Sequence, residues 1–431
     1  MWLVLSPFSL LLPLAVLAWY SRRWALLVLL AGLSAYIIRT DLISLPTTWL
    51  ELGIGITLAV WLIKGDWRIF QKINLRLFWP WLIPLLLWLV AGILGILVAE
   101  DTRLALGVWK GFIIDPLLLC IMVASVAVSE KEKNWCRDWI AALLVGAVAT
   151  TTVAMLQTFT MHGGRLQSGY DSPNVLAMYL GPILIIGLLW LFENRRDLKL
   201  YQQLLWLGAC LVVGWGVILT NSYTAIAAIM GAIVIYFIIK SWPKLAGVIG
   251  LVLILFSLLG PWAAVSLNKG LLTGHTNPTY GITSGEVRMI LWRQAVEFIK
   301  ASPILGLGLG QWQASFNTIA EERGWLSIKN PGLAIELHYS SLYPHNLWLT
   351  TWLSVGILGL VVLIWLVIKV FKSAVGAAAI PAAVLAVQII HGTLDTPMWK
   401  NDLAILWWLA IMFAIIYQLK LQPPKIEHRY E

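Results

Sequence analysis

Residues 342–360 read LYPHNLWLTTWLSVGILGL. The apolar run that begins at Leu347 extends to about residue 369, which is long enough to cross a bilayer as an α-helix. Two polar residues, His345 and Asn346, stand at its entrance. They are either a helix cap at the membrane surface or part of a reaction centre, and the choice depends on the rest of the chain.

Similar apolar runs recur throughout the 431 residues. The chain is 60% hydrophobic and 12% charged, with a mean hydropathy of +0.83, whereas soluble proteins have about 25% charged residues. No series of short alternating strands suggests a barrel. We predict an all-α fold, a polytopic membrane helical bundle of 12 or 13 transmembrane helices that forms a single integral membrane domain over residues 1–431. The spans are expected at about 3–20, 24–38, 47–63, 77–98, 112–128, 136–160, 174–192, 203–220, 224–240, 244–262, 346–369, 375–391 and 402–420.

The basic residues predict the orientation of these helices. Alternate connections and the C-terminal tail carry 19 of the 30 Lys and Arg residues, so the positive-inside rule places them and the C-terminus in the cytoplasm. The net charge of +9 is explained in this way and indicates no nucleic-acid partner. The loop 263–344 then lies on the periplasmic or extracellular side, with short helices expected near 286–300 and 311–323.

Arg288 is the first candidate site residue in this loop. On a helical wheel it lies with Trp292 on the apolar face, opposite a wet stripe of charged residues that includes Arg293. A cation on an apolar face is costly unless it is paired or reaches water. Arg288 is therefore either a structural arginine or part of an anion site, and Arg293 is a further candidate substrate-binding residue.

Two outward-facing helix starts supply further candidates. The loop HGGRLQSGYDSPNVLAMYL (162–180) places Arg165 ahead of Asn174, and Asn346 begins the next such helix after His345. A helix N-terminus suits an anion, and Asn is a favoured cap, so both asparagines are either caps or substrate-binding residues. Histidine is not a favoured cap and moves protons near neutral pH, so His345 is either structural or a catalytic base.

The remaining polar motifs are interpreted as structural. The loop HGTLDTPMWKND (391–402) holds His391, Asp395, Lys400 and Asp402, which suggest a packed polar network. GLGLG (306–310) follows no strand and is expected to be a turn between helices. Gly356 and Gly359 have the spacing of helix-packing residues. The three cysteines indicate neither a disulfide framework nor a metal site.

The cations and the candidate base are expected at the outer membrane–water boundary. A substrate with a phosphate at the interface and a long apolar tail, such as a polyprenyl diphosphate carrier, fits this arrangement. The arginines would hold the diphosphate as a leaving group, and the histidine would accept a proton from an attacking hydroxyl. No residues suggest a cofactor or a metal.

Four segments, in order, carry a resemblance to a known family. PHNLWLTTWLSVGILGL resembles the signature of the O-antigen ligase and O-antigen polymerase family of bacterial membrane proteins. The resemblance covers roughly residues 136–420. The other three similar segments are GGRLQSGYDSPNVLAMYL, EVRMILWRQAVEFIKASPILGLGLGQW and HGTLDTPMWKNDLAILWWL.

The resemblance implies a metal-independent membrane glycosyltransferase of the type called GT-C, in the bacterial inner membrane. Its donor would be a glycan on undecaprenyl diphosphate. Its acceptor would be a hydroxyl of lipid A–core, another glycan or a protein, as in lipopolysaccharide and cell-envelope synthesis. By this resemblance Arg288 binds the diphosphate and His345 is the base, with Arg165 as a weaker match.

One departure from the family concerns the turn before the predicted helix 224–240. Many members carry an arginine there, whereas this chain has Asn221, Ser222 and Tyr223, so Arg165 is the candidate replacement. The sequence leaves open whether the reaction is that of a ligase, a polymerase or a protein glycosylation enzyme. Two other classes also remain: a transporter, since some cyanobacterial relatives are labelled as bicarbonate transporters, and a non-catalytic scaffold.

Overall fold

The computed structural model describes residues 9, 11–42, 45–72, 75–129, 136–160, 164–267, 284–322 and 343–421. Helices make up most of these residues, and the predicted all-α polytopic membrane fold is confirmed. The helices are α1 (Leu11–Tyr20), α2 (Arg22–Ala31), α3 (Trp49–Lys64), α4 (Leu75–Val98), α5 (Thr102–Trp109), α6 (Asp115–Ser129), α7 (Arg137–Thr160), α8 (Pro173–Asn194), α9 (Leu200–Leu219), α10 (Tyr223–Ser241), α11 (Ala246–Leu267), α12 (Ser284–Ala301), α13 (Trp312–Glu322), α14 (Leu347–Lys372), α15 (Ala379–His391) and α16 (Asn401–Leu421).

Fewer helices than expected have the length of a membrane span. Within the described residues, nine are long and apolar enough to cross a membrane, whereas the sequence predicts 12 or 13. The predicted spans 3–20, 24–38, 47–63 and 375–391 correspond to the shorter helices α1, α2, α3 and α15. Residues 1–8 and 10, at the start of the first span, lie outside the described part.

The predicted span 24–38 is helical over most of its length, but it is not one continuous α-helix. Helix α2 ends at Ala31, and a short 3₁₀-helix continues over Leu33–Ile37. A small hairpin of two strands, β1 (Arg39–Leu42) and β2 (Leu45–Thr48), follows it. The strands are antiparallel, with Arg39 opposite Thr48. The side chain of Thr48 accepts from the Glu51 N–H in a capping box, which begins α3 at the residue after the hairpin.

The two short helices predicted within the loop 263–344 are confirmed as α12 and α13. The apolar face of α12 packs against α13 and the first turns of α14, because one stripe of its surface is hydrophobic. Residues 268–283 and 323–342 of this loop lie outside the described part of the chain. The packed side chains include Val287, Leu291, Trp292, Ala295, Ile299, Trp312, Phe316, Leu349 and Leu353.

The glycine-rich turn between α12 and α13 passes between α4 and α14. The N–H groups of Leu307 and Gly308 donate to the Leu353 carbonyl at 2.8 and 3.1 Å, and the Leu309 N–H donates to the Gly95 carbonyl at 3.0 Å. Gly308 has a φ of +97°, and a Cβ there would lie 2.8 Å from the Gly95 oxygen. The expected turn is confirmed, and its glycines allow backbone to touch backbone.

Helix α14 is interrupted where this turn meets it. Gly356 has φ 68° and ψ −174°, and the Ile357 N–H donates outside the helix, to the Ile304 carbonyl at 2.9 Å. The interpretation of Gly356 as a helix-packing residue is therefore wrong. Gly356 breaks the helix and leaves backbone groups of α14 without their usual helical partners. Such groups need hydrogen-bond partners within a membrane, and the backbone of the turn supplies them.

We expect Gly356→Ala to destabilise the protein strongly. A Cβ there would lie 2.4 Å from the Ile304 oxygen, and the left-handed conformation alone costs a side chain about 1–3 kcal/mol. Thermal unfolding in detergent, followed by circular dichroism, measures the loss.

The matched control is Gly208→Ala in α9, where a Cβ would meet nothing within 4 Å. This change should leave the melting temperature unchanged or raise it, because alanine stabilises a helix interior by about 0.5–1 kcal/mol relative to glycine. Equal melting temperatures for the two variants would contradict the role assigned to Gly356.

Candidate functional site

Asn346 joins three elements at the start of α14. Its side-chain oxygen accepts from the N–H groups of Trp348 and Leu349, at 3.0 Å each, and its amide donates to the carbonyls of Ser257 at 3.1 Å and Thr393 at 3.0 Å. The side chain is fully buried. The cap expected at Asn346 is confirmed, and the same residue ties α14 to α11 and to the loop between α15 and α16.

The proline in α11 explains one of these bonds. The carbonyl of Ser257 would ordinarily accept from the N–H four residues later, but that residue is Pro261, which has none. The Asn346 amide replaces the missing donor. Asn346 therefore satisfies a carbonyl that would otherwise be unpaired in the apolar interior.

His345 is held in an unusual conformation next to this cap. Its φ is +50°, a region that non-glycine residues seldom adopt and that is common at functional sites. Its carbonyl accepts from the Trp292 indole at 3.4 Å. Its ring Nδ1 lies 3.3 Å from Oδ1 of Asp395, and its side chain keeps 26% of its surface exposed, so the ring remains reachable.

Arg288 reaches the same loop from α12. Its Nε donates to the carbonyl of Leu394 at 2.9 Å, and its side chain is half-buried. Burial lowers the pKa of the guanidinium, while the charge of Asp395 opposes that effect. The structure therefore brings Arg288 and His345 to two consecutive residues, Leu394 and Asp395.

Asp395 is the charge that these groups share. Its side chain is 7% exposed, and its Oδ1 also accepts from the Thr396 N–H at 3.0 Å. Burial on its own raises the pKa of this carboxyl. The charge and hydrogen bond of His345, together with the charges of His391 and Arg288, outweigh burial, so the pKa of Asp395 lies well below its usual range. Asp395 is therefore an anion near neutral pH.

Arg165 lies near Arg288, on the loop before α8. Its Nε donates to the Thr220 carbonyl at 2.8 Å, and its terminal nitrogen lies 2.9 Å from the Asn174 side-chain oxygen and 3.3 Å from the Asn221 carbonyl. Burial lowers the pKa of Arg165, and the positive charge of Arg288 lowers it further. Two guanidinium groups close enough to repel each other form a place where an anion is stabilised.

The other candidate residues have different surroundings. Asn174 is not the cap of α8, because Ser172 holds that position and accepts from the Val175 N–H; Asn174 instead accepts from Arg165. Arg293 lies five residues beyond Arg288, about 140° around the helix, and its side chain is exposed. The structure thus groups Arg165, Arg288 and His345, with Asn174 beside them.

The loop 391–402 contains the residue whose role the sequence did not indicate. Asp395 has the same residue type as Asp402, and nothing in the local pattern separates them. In the structure Asp402 accepts from the Tyr170 hydroxyl at 3.0 Å, and Lys400 pairs with Asp171, so these two contacts are structural.

The described groups suit charge stabilisation and proton transfer. Within the described ranges, no cluster of three or more His, Cys, Asp and Glu residues is arranged to hold a metal ion. The site supplies two cations for an anionic group and an imidazole that is backed by a carboxylate. This combination can bind a phosphate ester and remove a proton from a hydroxyl.

Comparison with known proteins gives one match. Residues 207–364 match a family model described as O-antigen ligase. No curated protein and no solved structure matches the chain. The matched range includes Arg288 and His345, whereas Arg165 and Asp395 lie on either side of it.

We expect Asp395→Asn to destabilise the protein by about 1–3 kcal/mol, because a buried acceptor of charged hydrogen bonds is lost. Unfolding by heat or denaturant in detergent measures this change. A carboxyl with a lowered folded-state pKa stabilises the fold above its unfolded value of about 4 and loses that effect as pH falls. The difference between the two proteins should therefore shrink below about pH 4.

Asp171→Asn serves as the control for this comparison. Its ion pair with Lys400 is half exposed on the aspartate side, and such surface pairs contribute about 0–1 kcal/mol. A larger loss of stability from Asp171→Asn than from Asp395→Asn would show that Asp395 does not hold the cluster together.

Proposed function

Residues 207–364 are a domain of the O-antigen ligase family, and from this premise we propose that the chain is a membrane glycosyltransferase. It would transfer a glycan from undecaprenyl diphosphate to a hydroxyl of lipid A–core, another glycan or a protein. The observation that carries the proposal is the convergence of Arg288 and His345 on the Leu394–Asp395 turn. Arg288, the cation, contacts Leu394, and His345, the candidate base, contacts Asp395.

The two arginines would bind the diphosphate of the donor. Arg288 and Arg165 are close enough for the charge of one to lower the pKa of the other, and a diphosphate between them would offset this repulsion. In the reaction the bond between the anomeric carbon and the diphosphate oxygen breaks. The negative charge that develops on the leaving group is then stabilised by both guanidinium groups.

His345 would act as the general base. When its Nδ1–H donates to Asp395, its Nε2 is the atom that accepts a proton. The acceptor hydroxyl attacks the anomeric carbon, its proton passes to His345, and polyprenyl diphosphate leaves. Asp395 is a positioning residue here: it orients the ring and stabilises the imidazolium, as carboxylates do beside catalytic histidines.

Arg165 would replace the arginine that many family members carry in the turn before α10. Its contacts with the Thr220 and Asn221 carbonyls at 2.8 and 3.3 Å support this proposal, because they bring the charge to that turn from a different segment. The donor would thus meet a cation at the turn before α10. The diphosphate site would be retained although this turn has no arginine of its own.

The chain is a multi-pass membrane protein of this family. We infer that it resides in the bacterial inner membrane, with its C-terminus in the cytoplasm and α12 and α13 on the periplasmic side. The uneven distribution of basic residues supports this orientation. A lipid-linked donor with its diphosphate at the outer boundary suits a site at the outer ends of α14 and α15. The proposed chemistry draws on no metal ion or cofactor.

A transporter is the second candidate function. Transporters have broken helices and charges within the membrane, and two observations are of this kind: α14 is broken at Gly356, and Lys110, inside the span Thr102–Ser129, pairs with Glu51 at 2.9 Å. The break is filled by the backbone of Ile304. Bicarbonate uptake by proteoliposomes without any glycan transfer would favour this alternative.

We expect Arg288→Ala and His345→Ala to fail at different steps. Arg288→Ala should weaken binding of a lipid-diphosphate glycan by about tenfold or more, because a charge-assisted contact is lost. His345→Ala should retain donor binding and lose turnover by about 10²–10⁴-fold. Both are measured with purified protein, a lipid-diphosphate glycan and candidate acceptors.

The control variant is Lys300→Ala, which removes a 62% exposed cation from the same helix as Arg288. It should bind donor and turn over as the native protein does. Absence of transfer with every donor and acceptor, together with unchanged donor binding in Arg288→Ala, would overturn the glycosyltransferase proposal.

The replacement role of Arg165 is tested by moving the charge. Arg165→Ala should raise the KM for donor, and a second change, Tyr223→Arg, should restore part of the loss because it returns a cation to the turn. Tyr223 is suitable since it is 67% exposed and already acts on the pKa of Arg165. A double variant no better than Arg165→Ala would mean that Arg165 acts through its loop contacts alone.

A further inference from the structure

An apolar groove of about 430 Å³ lies among α4, α6 and α16, away from the arginine and histidine site. Its walls are hydrocarbon side chains, aromatic rings and one thiol, so it offers water almost no hydrogen-bond partners. Its volume falls within the range of about 300–1,000 Å³ that is typical of pockets for small molecules. Along the three helices its lining runs from Phe78 to Leu89, from Ile114 to Val128 and from Trp408 to Leu419.

The groove runs along α6 from Ile114 to Val128 and extends to the end of the bundle opposite the site. It reaches Phe70, before α4, and it includes the last turns of α6 and α16. The candidate site lies at the other end, because Asp395 precedes α16 and Gly95, near the end of α4, contacts the glycine-rich turn. An occupant that enters at this end comes from the membrane face that is remote from Arg288.

Aromatic side chains close the groove toward the site. The Trp109 ring packs directly on Gly92 of α4, one turn beyond the last α4 residue of the lining, so closely that a Cβ there would lie 2.8 Å from the ring. Trp88 and Trp408 pack against each other with ring centroids 5.7 Å apart. A polyprenyl tail that descends from the site is therefore separated from the groove, and a lipid of the opposite leaflet is the better match.

A basic side chain lies beside the end of the groove that is remote from the site. The ammonium of Lys369 lies 4.6 Å from the centroid of the Trp81 ring, and the Trp81 indole donates to Gln418 at 2.9 Å. Trp81 and Gln418 are the sequence neighbours of Leu82 and Leu419, which line the groove. A cation fixed beside an apolar groove complements a lipid that has an anionic headgroup.

We propose that the groove holds an acyl chain of an anionic phospholipid from the leaflet remote from the site, with the lipid phosphate beside Lys369. The chain fills a recess whose walls offer water almost no hydrogen-bond partners, and the headgroup meets the basic end of α14. This site is separate from the one that would bind the glycan donor. Its occupant would stabilise the packing of α4 against α6 and α16.

The test uses the full-length protein reconstituted with equal amounts of phosphatidylglycerol and phosphatidylcholine, then extracted in mild detergent and weighed by native mass spectrometry. We expect the native protein to retain one phosphatidylglycerol. Ala124→Trp, which fills the groove from α6, should lower retention by about tenfold, which corresponds to about 1.4 kcal/mol. Val145→Trp, at a 62% exposed position of α7, should retain the lipid.

The charge is tested separately. Lys369→Gln should reduce the preference for phosphatidylglycerol by about fivefold, the effect of one basic residue at a membrane surface, whereas Lys372→Gln on the same helix end should change it less. If Ala124→Trp does not fold, Lys369→Gln still decides the question, because it leaves the groove volume unchanged.

Three results would overturn the proposal. They are equal retention of both phospholipids by the native protein, unchanged retention in Ala124→Trp, and displacement of the bound phospholipid by a polyprenyl phosphate. Arg288→Ala should keep the phospholipid, so failure of the glycosyltransferase proposal leaves this result unaffected.

Discussion

The arrangement of the site depends on the buried side chain of Asn346. Its oxygen caps α14, and its amide replaces the donor that Pro261 removes from the Ser257 carbonyl and also binds the carbonyl of Thr393. Within an apolar interior each of these groups must be paired. One side chain thereby fixes α11, α14 and the loop after α15 relative to one another, and His345 is held between them in its left-handed conformation.

The charges of Asp395, Arg165 and Arg288 determine which ligand the site can bind. Asp395 is buried and ionised because His345, His391 and Arg288 surround it. The repulsion between Arg165 and Arg288 is lowest when an anion lies between them. In the proposed reaction, Asp395 orients the base, and an anion between the two arginines is the diphosphate of the donor.

Much of the fold could be predicted because the membrane limits the possible structures. Apolar runs of sufficient length become helices, so α4 and the helices from α6 to α11, with α14 and α16, were expected near their observed positions. The break within the span at 24–38 was not, since an α-helix that ends at Ala31 and a 3₁₀-helix over Leu33–Ile37 have the same hydropathy as one longer helix. The break at Gly356 was also missed, because its cause is the Ile304 carbonyl, which belongs to a segment about fifty residues away in the chain.

The candidate site, like the fold, could be predicted only in part. Residue chemistry and helix periodicity were enough to select Arg288, His345 and Arg165, because a cation on an apolar face and a histidine at a helix start conflict with their local surroundings. The partners of these residues followed only from the folded chain. Asp395 could not be distinguished from Asp402, and Asn174 could not be separated from a cap, because the contacts that define their roles join segments far apart in sequence. Local patterns record the preferences of single helices, whereas a shared charge or a shared carbonyl exists only once those helices have packed.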